Sequence, residues 1–258
     1  MGAAANLTED LPHRAARLLA RIRRERPKVH CLTNYVAMNI SANAVLAVGA
    51  VPSMTMTPLA MSDFVRSTQS LVVNLGMLEP EREKASRIAV EQAELLGKPW
   101  ALDPVKIERS GSRLAVAREL LAAKPSAMRA NRDEIEALAD AEQAVDRNEL
   151  ADKLGCVIAE TGSSDMISDG EQRCRIVNGH PLMAQVTAMG CAASAIMGAF
   201  LAVEEDAFIA ICSALMVMSI AGEIAGAKSR GPGSFQSNLL DALFELDERM
   251  ITKYARLK

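Results

Sequence analysis

Aromatic side chains are scarce in this chain: one tryptophan, two tyrosines and five phenylalanines stand among 258 residues, of which 50% are hydrophobic. The core must therefore be assembled from Ala, Val, Leu, Ile and Met, which suits helices stacked on a sheet. An excess of charge of one sign is also lacking. Lys and Arg number 29 against 32 Asp and Glu, a net charge of −3. With no arginine-rich stripe interleaved with aromatics, a nucleic-acid surface is excluded and small-molecule chemistry is expected. The five cysteines (31, 156, 174, 191 and 212) form no CxxC pair and the three histidines show no HExxH spacing, which reads as reduced thiols in the cytosol. Neither a Walker A sequence nor a GxGxxG fingerprint occurs, since Gly97-Lys98 runs into Pro99; P-loop and ordinary dinucleotide sites are excluded. Of the two long uncharged stretches, residues 182–203 contain Gln185, Thr187 and a turn, and residues 207–222 fall short of the roughly 20 residues of a membrane span. Both read as core helices, with no membrane partner. The N-terminus, MGAAANLTEDLPHRAARLL, lacks the basic-then-apolar pattern of a secretory signal, and a cytoplasmic location is expected.

What is present alternates strands with helices. Residues 11–26 read as a basic amphipathic helix stopped by Pro27, residues 29–33 as a first strand and residues 34–49 as a helix. From Val29 to Ser62 there is no Asp, Glu, Lys or Arg, as expected of a strand–helix–strand unit covered on two sides. Further strands are expected at 51–54, 71–75, 99–102, 126–129 and 155–160. Helices are expected at 81–96 and 113–123, and from Asn131, an N-cap. A hairpin turns around Asp169-Gly170, and three mainly apolar helices begin near Cys191, Asp206 and Ser234. This pattern predicts a three-layer α/β/α fold with a mostly parallel central sheet, built as one domain over residues 1–258.

The stretch from His180 to Val203 joins a reactive side chain to a helix too apolar all round for a surface position. Before it, Thr187-Ala188-Met189-Gly190-Cys191 reads as a turn that offers backbone N–H groups and a helix N-terminus to an anion. A thiol there is expected to be more acidic than a free cysteine; alternatively, Cys191 is one more small buried residue. In open α/β sheets the crevice lies beyond the carboxyl ends of the strands. Asn34, Met54-Thr55, Asn74-Leu75-Gly76, Asp103-Pro104, Arg129-Ala130-Asn131 and Thr161-Gly162 are expected to converge there. Asp103 and Glu134 are the carboxylates placed near a cation, a sparse pair of the kind magnesium uses beside phosphate oxygens. The alternatives are a turn cap for Asp103 and a first-turn glutamate favoured by the helix dipole for Glu134. Arg129 offers a fork that matches phosphate, or forms a surface ion pair.

HCLTNYVAMNISANAVLAVGAVPSM, LVVNLGML, ALDPV, MRANRDEI, AETGSSDMISDG, IVNGHPLMAQVTAMGC and GPGSFQSNLLDAL occur in that order. Together they resemble the hydroxyethylthiazole kinases of the ribokinase-like superfamily over residues 28–248. The resemblance implies ATP- and magnesium-dependent phosphorylation of the hydroxyl of 4-methyl-5-(2-hydroxyethyl)thiazole in thiamine salvage, by a homotrimer with thiazole sites where subunits meet. It puts Met54 and Ala188 at substrate contacts, joined by Asn34. Arg129 and Thr161 fall at nucleotide contacts, and Asp103 and Glu134 at positions associated with magnesium. Cys191 takes the place where many sugar kinases of the superfamily carry an aspartate base. Two departures stand out: Ala188-Met189 replaces a glycine-bearing pair, and Lys106-Ile107-Glu108-Arg109-Ser110-Gly111 replaces a glycine-rich continuation after Asp-Pro-Val. A kinase for another small heteroaromatic or sugar alcohol is the alternative activity, and a weakly active thiazole-binding relative is a further one.

Overall fold

Successive residues along the central strands point into two different apolar cores, and the two cores differ in side-chain size. The computed structural model of the chain describes residues 2–258. In chain order its elements are α1 (Gly2–Glu25), β1 (Lys28–Leu32), α2 (Met38–Ala47), β2 (Val51–Ser53), α3 (Pro58–Ser67), β3 (Ser70–Asn74), α4 (Pro80–Leu95), β4 (Trp100–Asp103), α5 (Gly111–Leu121), β5 (Ala127–Ala130), α6 (Arg132–Glu142), α7 (Arg147–Leu154), β6 (Val157–Glu160), β7 (Asp165–Ser168), β8 (Arg173–Ile176), α8 (Met189–Leu201), α9 (Ala207–Lys228), α10 (Pro232–Glu245) and α11 (Glu248–Tyr254). Among the described residues one eight-stranded sheet runs in the order β2-β1-β3-β4-β5-β6-β7-β8. It is parallel through β6, and the β7–β8 hairpin closes it in antiparallel fashion.

On one face Val29, Val72, Ala101, Ala127 and Ala159 meet α1, α2, α8, α9 and α10. On the other, Leu71, Val73, Leu102, Met128 and Ile158 meet α3, α4, α5, α6 and α7. This is the three-layer α/β/α arrangement. The small side chains of the first face let α8 lie close against β1, β3 and β4. At Gly198 an added Cβ would fall 2.6 Å from Val72 Cγ2 and 2.7 Å from Val29 Cγ1, and the Ser70 hydroxyl donates to the Gly198 carbonyl at 2.6 Å. Gly190, Ser194 and Gly198 recur every four residues, so a single stripe of small residues faces the sheet.

Several boundaries differ from the sequence-based expectation. The helix expected from residue 34 begins at Met38, because the Asn34 side-chain oxygen accepts from the Ala37 N–H at 3.1 Å and makes a local turn, as asparagine favours. The first helix runs from Gly2 through Pro12 rather than from Leu11. Three short helices, α3, α7 and α11, lie outside the elements expected from periodicity. The apolar stretch from Ala207 is also longer than expected: α9 has 22 residues, enough by length for a span, with a mean hydropathy of 2.0. Burial decides instead: 83% of its apolar window lies inside the protein.

The seating of α8 yields a stability prediction. Gly198→Ala forces a methyl against stiff β-branched neighbours and should cost about 1–3 kcal/mol. Gly233→Ala, where a Cβ meets nothing within 4 Å, should stay within roughly 0.5 kcal/mol of wild type. Urea unfolding midpoints of the two variants check this, and equal midpoints would refute the close-seating argument.

Candidate active site

The carboxyl ends of β1, β3, β4, β5 and β6 open on the same edge of the sheet, and the first turn of α8 lies over them. The strand order reverses between β1 and β3, the switch point where parallel sheets form their crevice. Asn34 follows β1 and Asn74 ends β3; β4 places Asp103 directly opposite Asn74. Above them Cys191 enters from α8.

Hydrogen bonds tie these groups together. Asn74 Nδ2 donates to Asp103 Oδ2 at 2.7 Å and to Cys191 Sγ at 3.2 Å. Asn34 Nδ2 donates to Asn74 Oδ1 at 3.0 Å and lies 3.6 Å from Cys191 Sγ. Ser194, one turn further along α8, donates to Asp103 Oδ2 at 3.0 Å. On the other side of Asp103 stands Arg129, with Nη1 3.6 Å from Oδ1. The guanidinium lies against the α8 N-terminus, where an added Cβ at Gly190 would overlap it. Ala188, just before α8, holds φ +63°, a left-handed conformation that an L side chain adopts at a cost.

Asp103 is fully buried. Burial holds its carboxyl above the usual range, the Arg129 charge pulls it down, and Glu134 pushes it up. Burial likewise drives the Cys191 thiol up to about 12, and the Asp103 charge adds to the rise against the Asn74 amide, Arg129 and the Asn34 amide. The acidified thiol expected from the helix N-terminus is therefore corrected: desolvation, reinforced by a neighbouring carboxylate, raises the thiol.

A cavity of about 670 Å³ begins beside this network, within the range of small-ligand sites. Arg129, Thr161 and Gly190 line one end, and Met183, Leu215 and Met218 supply apolar wall elsewhere. Asp103 Oδ1, Arg129 Nε and Thr161 Oγ1 are buried without hydrogen-bond partners. Unsatisfied buried polar atoms cost about 1–3 kcal/mol each, so a polar ligand recovers what the free protein forgoes. Asp165 at the start of β7 also lines the cavity; it accepts from Ser219 Oγ at 2.9 Å and from the Gly162 N–H at 3.3 Å, and burial raises its carboxyl.

Among the described residues no cluster of three His, Cys, Asp or Glu side chains could cage a metal. Glu134 completes a capping box with Asn131: its Oε2 accepts from the Asn131 N–H at 2.8 Å, and its Oε1 accepts from the Lys106 N–H at 2.8 Å. Each oxygen retains one lone pair, and Asp103 Oδ1 has no donor. Such a sparse carboxylate set suits magnesium, which keeps several waters and leans on phosphate oxygens.

Of the residues singled out from sequence, Asn34, Asp103, Arg129 and Cys191 meet in one network, and Thr161 and Arg129 share the cavity wall. Ala188 adjoins the cavity-lining Met189. Met54, next after the edge strand β2, packs on the first core away from the cavity wall. Asn74 is legible in the sequence only as a strand-end residue without a role, and nothing in the sequence analysis points to Ser194, Asp165 or Ser219. For Ser194 the available signal is its four-residue spacing from Gly190.

Residues 19–249 match the model of the hydroxyethylthiazole kinase family. A probable hydroxyethylthiazole kinase of Agrobacterium fabrum is 41% identical over 245 residues, covering 95% of each chain. Among solved structures, a hydroxyethylthiazole kinase protein from Pyrococcus horikoshii superposes with a TM-score of 0.89 at 35% identity, over 95% of this chain and 98% of its own. A ribokinase-like superfamily protein of Enterococcus faecalis superposes with a TM-score of 0.67 at 13% identity, over 88% of this chain and 89% of its own; it is similar in fold alone.

The raised thiol has a measurable consequence. Thiolate is the reactive form, and a pKa moved up to about 12 leaves little of it near neutrality. Iodoacetamide should therefore alkylate Cys191 at pH 8.5 at least about 10²-fold more slowly than a free cysteine, with the rate rising as pH is raised. Peptide mapping by mass spectrometry reads this directly, and a rate equal to a free thiol's would contradict the burial argument.

Proposed function

The chain belongs to the hydroxyethylthiazole kinase family, and from that premise we propose that it transfers the γ-phosphoryl group of ATP to the primary hydroxyl of 4-methyl-5-(2-hydroxyethyl)thiazole. The product serves thiamine salvage. The observation that carries this reading is the junction of two features: a cavity of nucleotide size, and at its polar end a helix N-terminus flanked by Arg129, Asp103 and Cys191.

Phosphoryl transfer through a loose transition state depends on in-line placement and on charge stabilisation more than on a strong base. Arg129 and Thr161 take the phosphate end of the nucleotide, and the N–H groups of the first α8 turn meet the transferred group. Cys191 acts as a neutral thiol that positions the alcohol, since its raised pKa leaves it a poor proton acceptor at neutral pH. Asn34, Ala188 and Met54 border the thiazole. Asp103 and Glu134 would hold magnesium beside the nucleotide phosphates. When bound, the metal neutralises phosphate charge.

Met54 lies after an edge strand, and the elements flanking that strand expose Leu59, Val36 and Leu46. An apolar edge of this kind supports a homotrimer in which each thiazole site is completed by a neighbouring subunit. We take the chain as one kinase domain acting in the cytoplasm.

The decisive experiment is ADP release by purified protein with ATP, magnesium and a panel of alcohols. Turnover dependent on the thiazole alcohol is expected, with Cys191→Ala slower by about 10–10⁴-fold at unchanged ATP affinity. Turnover confined to another alcohol would replace the substrate, and binding without turnover would replace the activity.

A second reading has one observation in its favour. Met189 is buried in the cavity wall beside the strained Ala188, and a methionine there can select a different alcohol. Ala188→Gly with Met189→Thr should relieve the left-handed strain and raise thiazole turnover while the KM for ATP holds. A slower double variant, from a wild type that prefers another alcohol, would make Met189 the specificity element for that alcohol.

A further inference from the structure

We propose that Asn74 is the positioning residue of this site: its single side-chain amide sets the spacing of the Asp103 carboxylate from the Cys191 thiol. The inference rests on the kinase reading and deepens it, by assigning the geometry of two groups to a third that need not touch substrate.

All four hydrogen-bonding positions of the amide are used. Its two N–H bonds go to Asp103 Oδ2 at 2.7 Å and Cys191 Sγ at 3.2 Å. Its oxygen accepts from Asn34 Nδ2 at 3.0 Å and from the Gly76 backbone N–H at 3.0 Å. A backbone N–H can only donate, so the contact with Gly76 fixes which end of the amide is oxygen. The nitrogen must then face the carboxylate and the thiol. Rotating the amide by half a turn would set its oxygen against a carboxylate and strand the Gly76 N–H.

The amide is also held from behind. Asn74 is the last residue of β3, paired in register with Asp103, and its carbonyl accepts from Arg82 Nη2 at 2.8 Å. The same buried guanidinium donates to the carbonyls of Gly76 and Met77, so the turn after β3 is closed around Arg82. Gly76 is required for this closeness: an added Cβ would stand 2.8 Å from Asn34 Nδ2 and 3.0 Å from Asn74 Oδ1. With Oδ2 occupied by Asn74 and Ser194, Asp103 presents only Oδ1 toward Arg129. Asn34 and Asn74 both bring an amide nitrogen within reach of the Cys191 sulfur, and Asn74 is the nearer of the two.

The test uses the full chain and two readouts. Asn74→Asp keeps the shape of the side chain and, however it ionises, supplies at most one donor where the amide supplies two. Thiazole-dependent kcat should fall about 10²-fold, with KM for ATP changed less than about threefold. Alkylation of Cys191 by iodoacetamide at pH 9, read on the free protein without turnover, should slow at least about threefold, because the thiolate loses a donor. Ser194→Ala removes the other donor to Asp103 Oδ2 but neither donor to the thiol, so its alkylation rate should match wild type. Wild-type kcat in Asn74→Asp, or equal slowing of alkylation in Ser194→Ala, would overturn the assignment. If Asn74→Asp does not fold, Asn74→Ser takes its place in the kinetic arm, with the same loss of kcat expected and wild-type kcat overturning. A wild type with no thiazole-dependent turnover defeats the kinase reading instead, and the alkylation arm still decides the role of Asn74.

Discussion

The site depends on how closely α8 lies on the sheet. Its sheet-facing stripe is Gly190, Ser194 and Gly198, and the strand positions beneath are small as well. At one end of this stripe Gly198 accepts the valines of β1 and β3; at its middle Ser194 reaches a buried carboxylate; at the other end Gly190 accepts a guanidinium. A helix displaced outward by about 1 Å, as overpacking of a tight core enforces, would take Cys191 beyond the reach of the Asn74 amide. Core packing and active-site geometry are thus fixed by the same residues.

Electrostatics then follow from burial. Asp103 is removed from water with one oxygen lacking a donor, and Arg129 lies nearby with its Nε equally unsatisfied. The pair is incomplete rather than neutralised, and Arg129, which lines the cavity, is left able to pair with a ligand's negative oxygens. The same field works against Cys191. Burial first, and then the neighbouring carboxylate, make the thiol resist ionisation. Chemistry that asks for little base, with charge spread on phosphoryl oxygens, is the chemistry such a site can support.

Much of this was legible in the sequence, and the remainder fails for identifiable reasons. The uncharged run from Val29 to Ser62, with strands alternating with helices, anticipates the layered fold, because burial on both faces leaves no room for unpaired charge. The convergence of Asn34, Asn74, Asp103, Arg129 and Thr161 follows from parallel strands sharing one carboxyl edge. The short helices α3 and α7 escaped a reading by apolar period, although Pro58 and the Asp146 cap mark where each starts. The thiol's acidity is not legible because the helix end is a local signal, whereas the burial that raises it, and the carboxylate 88 positions away in the chain that adds to the rise, exist only in the fold. The role of Asn74 needs its four partners in view, and these come from separate strands, a turn and a helix.

The backbone records where the fold accepts strain. Met77, Val105, Lys106 and Ala188 all hold positive φ without being glycine, at +52°, +37°, +61° and +63°. Each follows a strand of the crevice or precedes α8. A β-branched residue at +37° is a conformation that the chain adopts only when its surroundings impose it. The surroundings are visible: the Val105 carbonyl accepts from Arg113 Nη1 at 2.7 Å, and the Lys106 N–H donates to Glu134 Oε1 at 2.8 Å. Glu134 therefore has a structural duty independent of any metal, joining the turn after β4 to the start of α6 through the Asn131 N–H. Its two oxygens thus tie the strained turn to the first turn of α6, one backbone N–H to each. Removing Glu134 would accordingly disturb loop geometry whatever its part in the proposed magnesium site. Asp103 bonds only the side chains of Asn74 and Ser194, so a substitution there tests the proposed site without breaking a bond to the backbone.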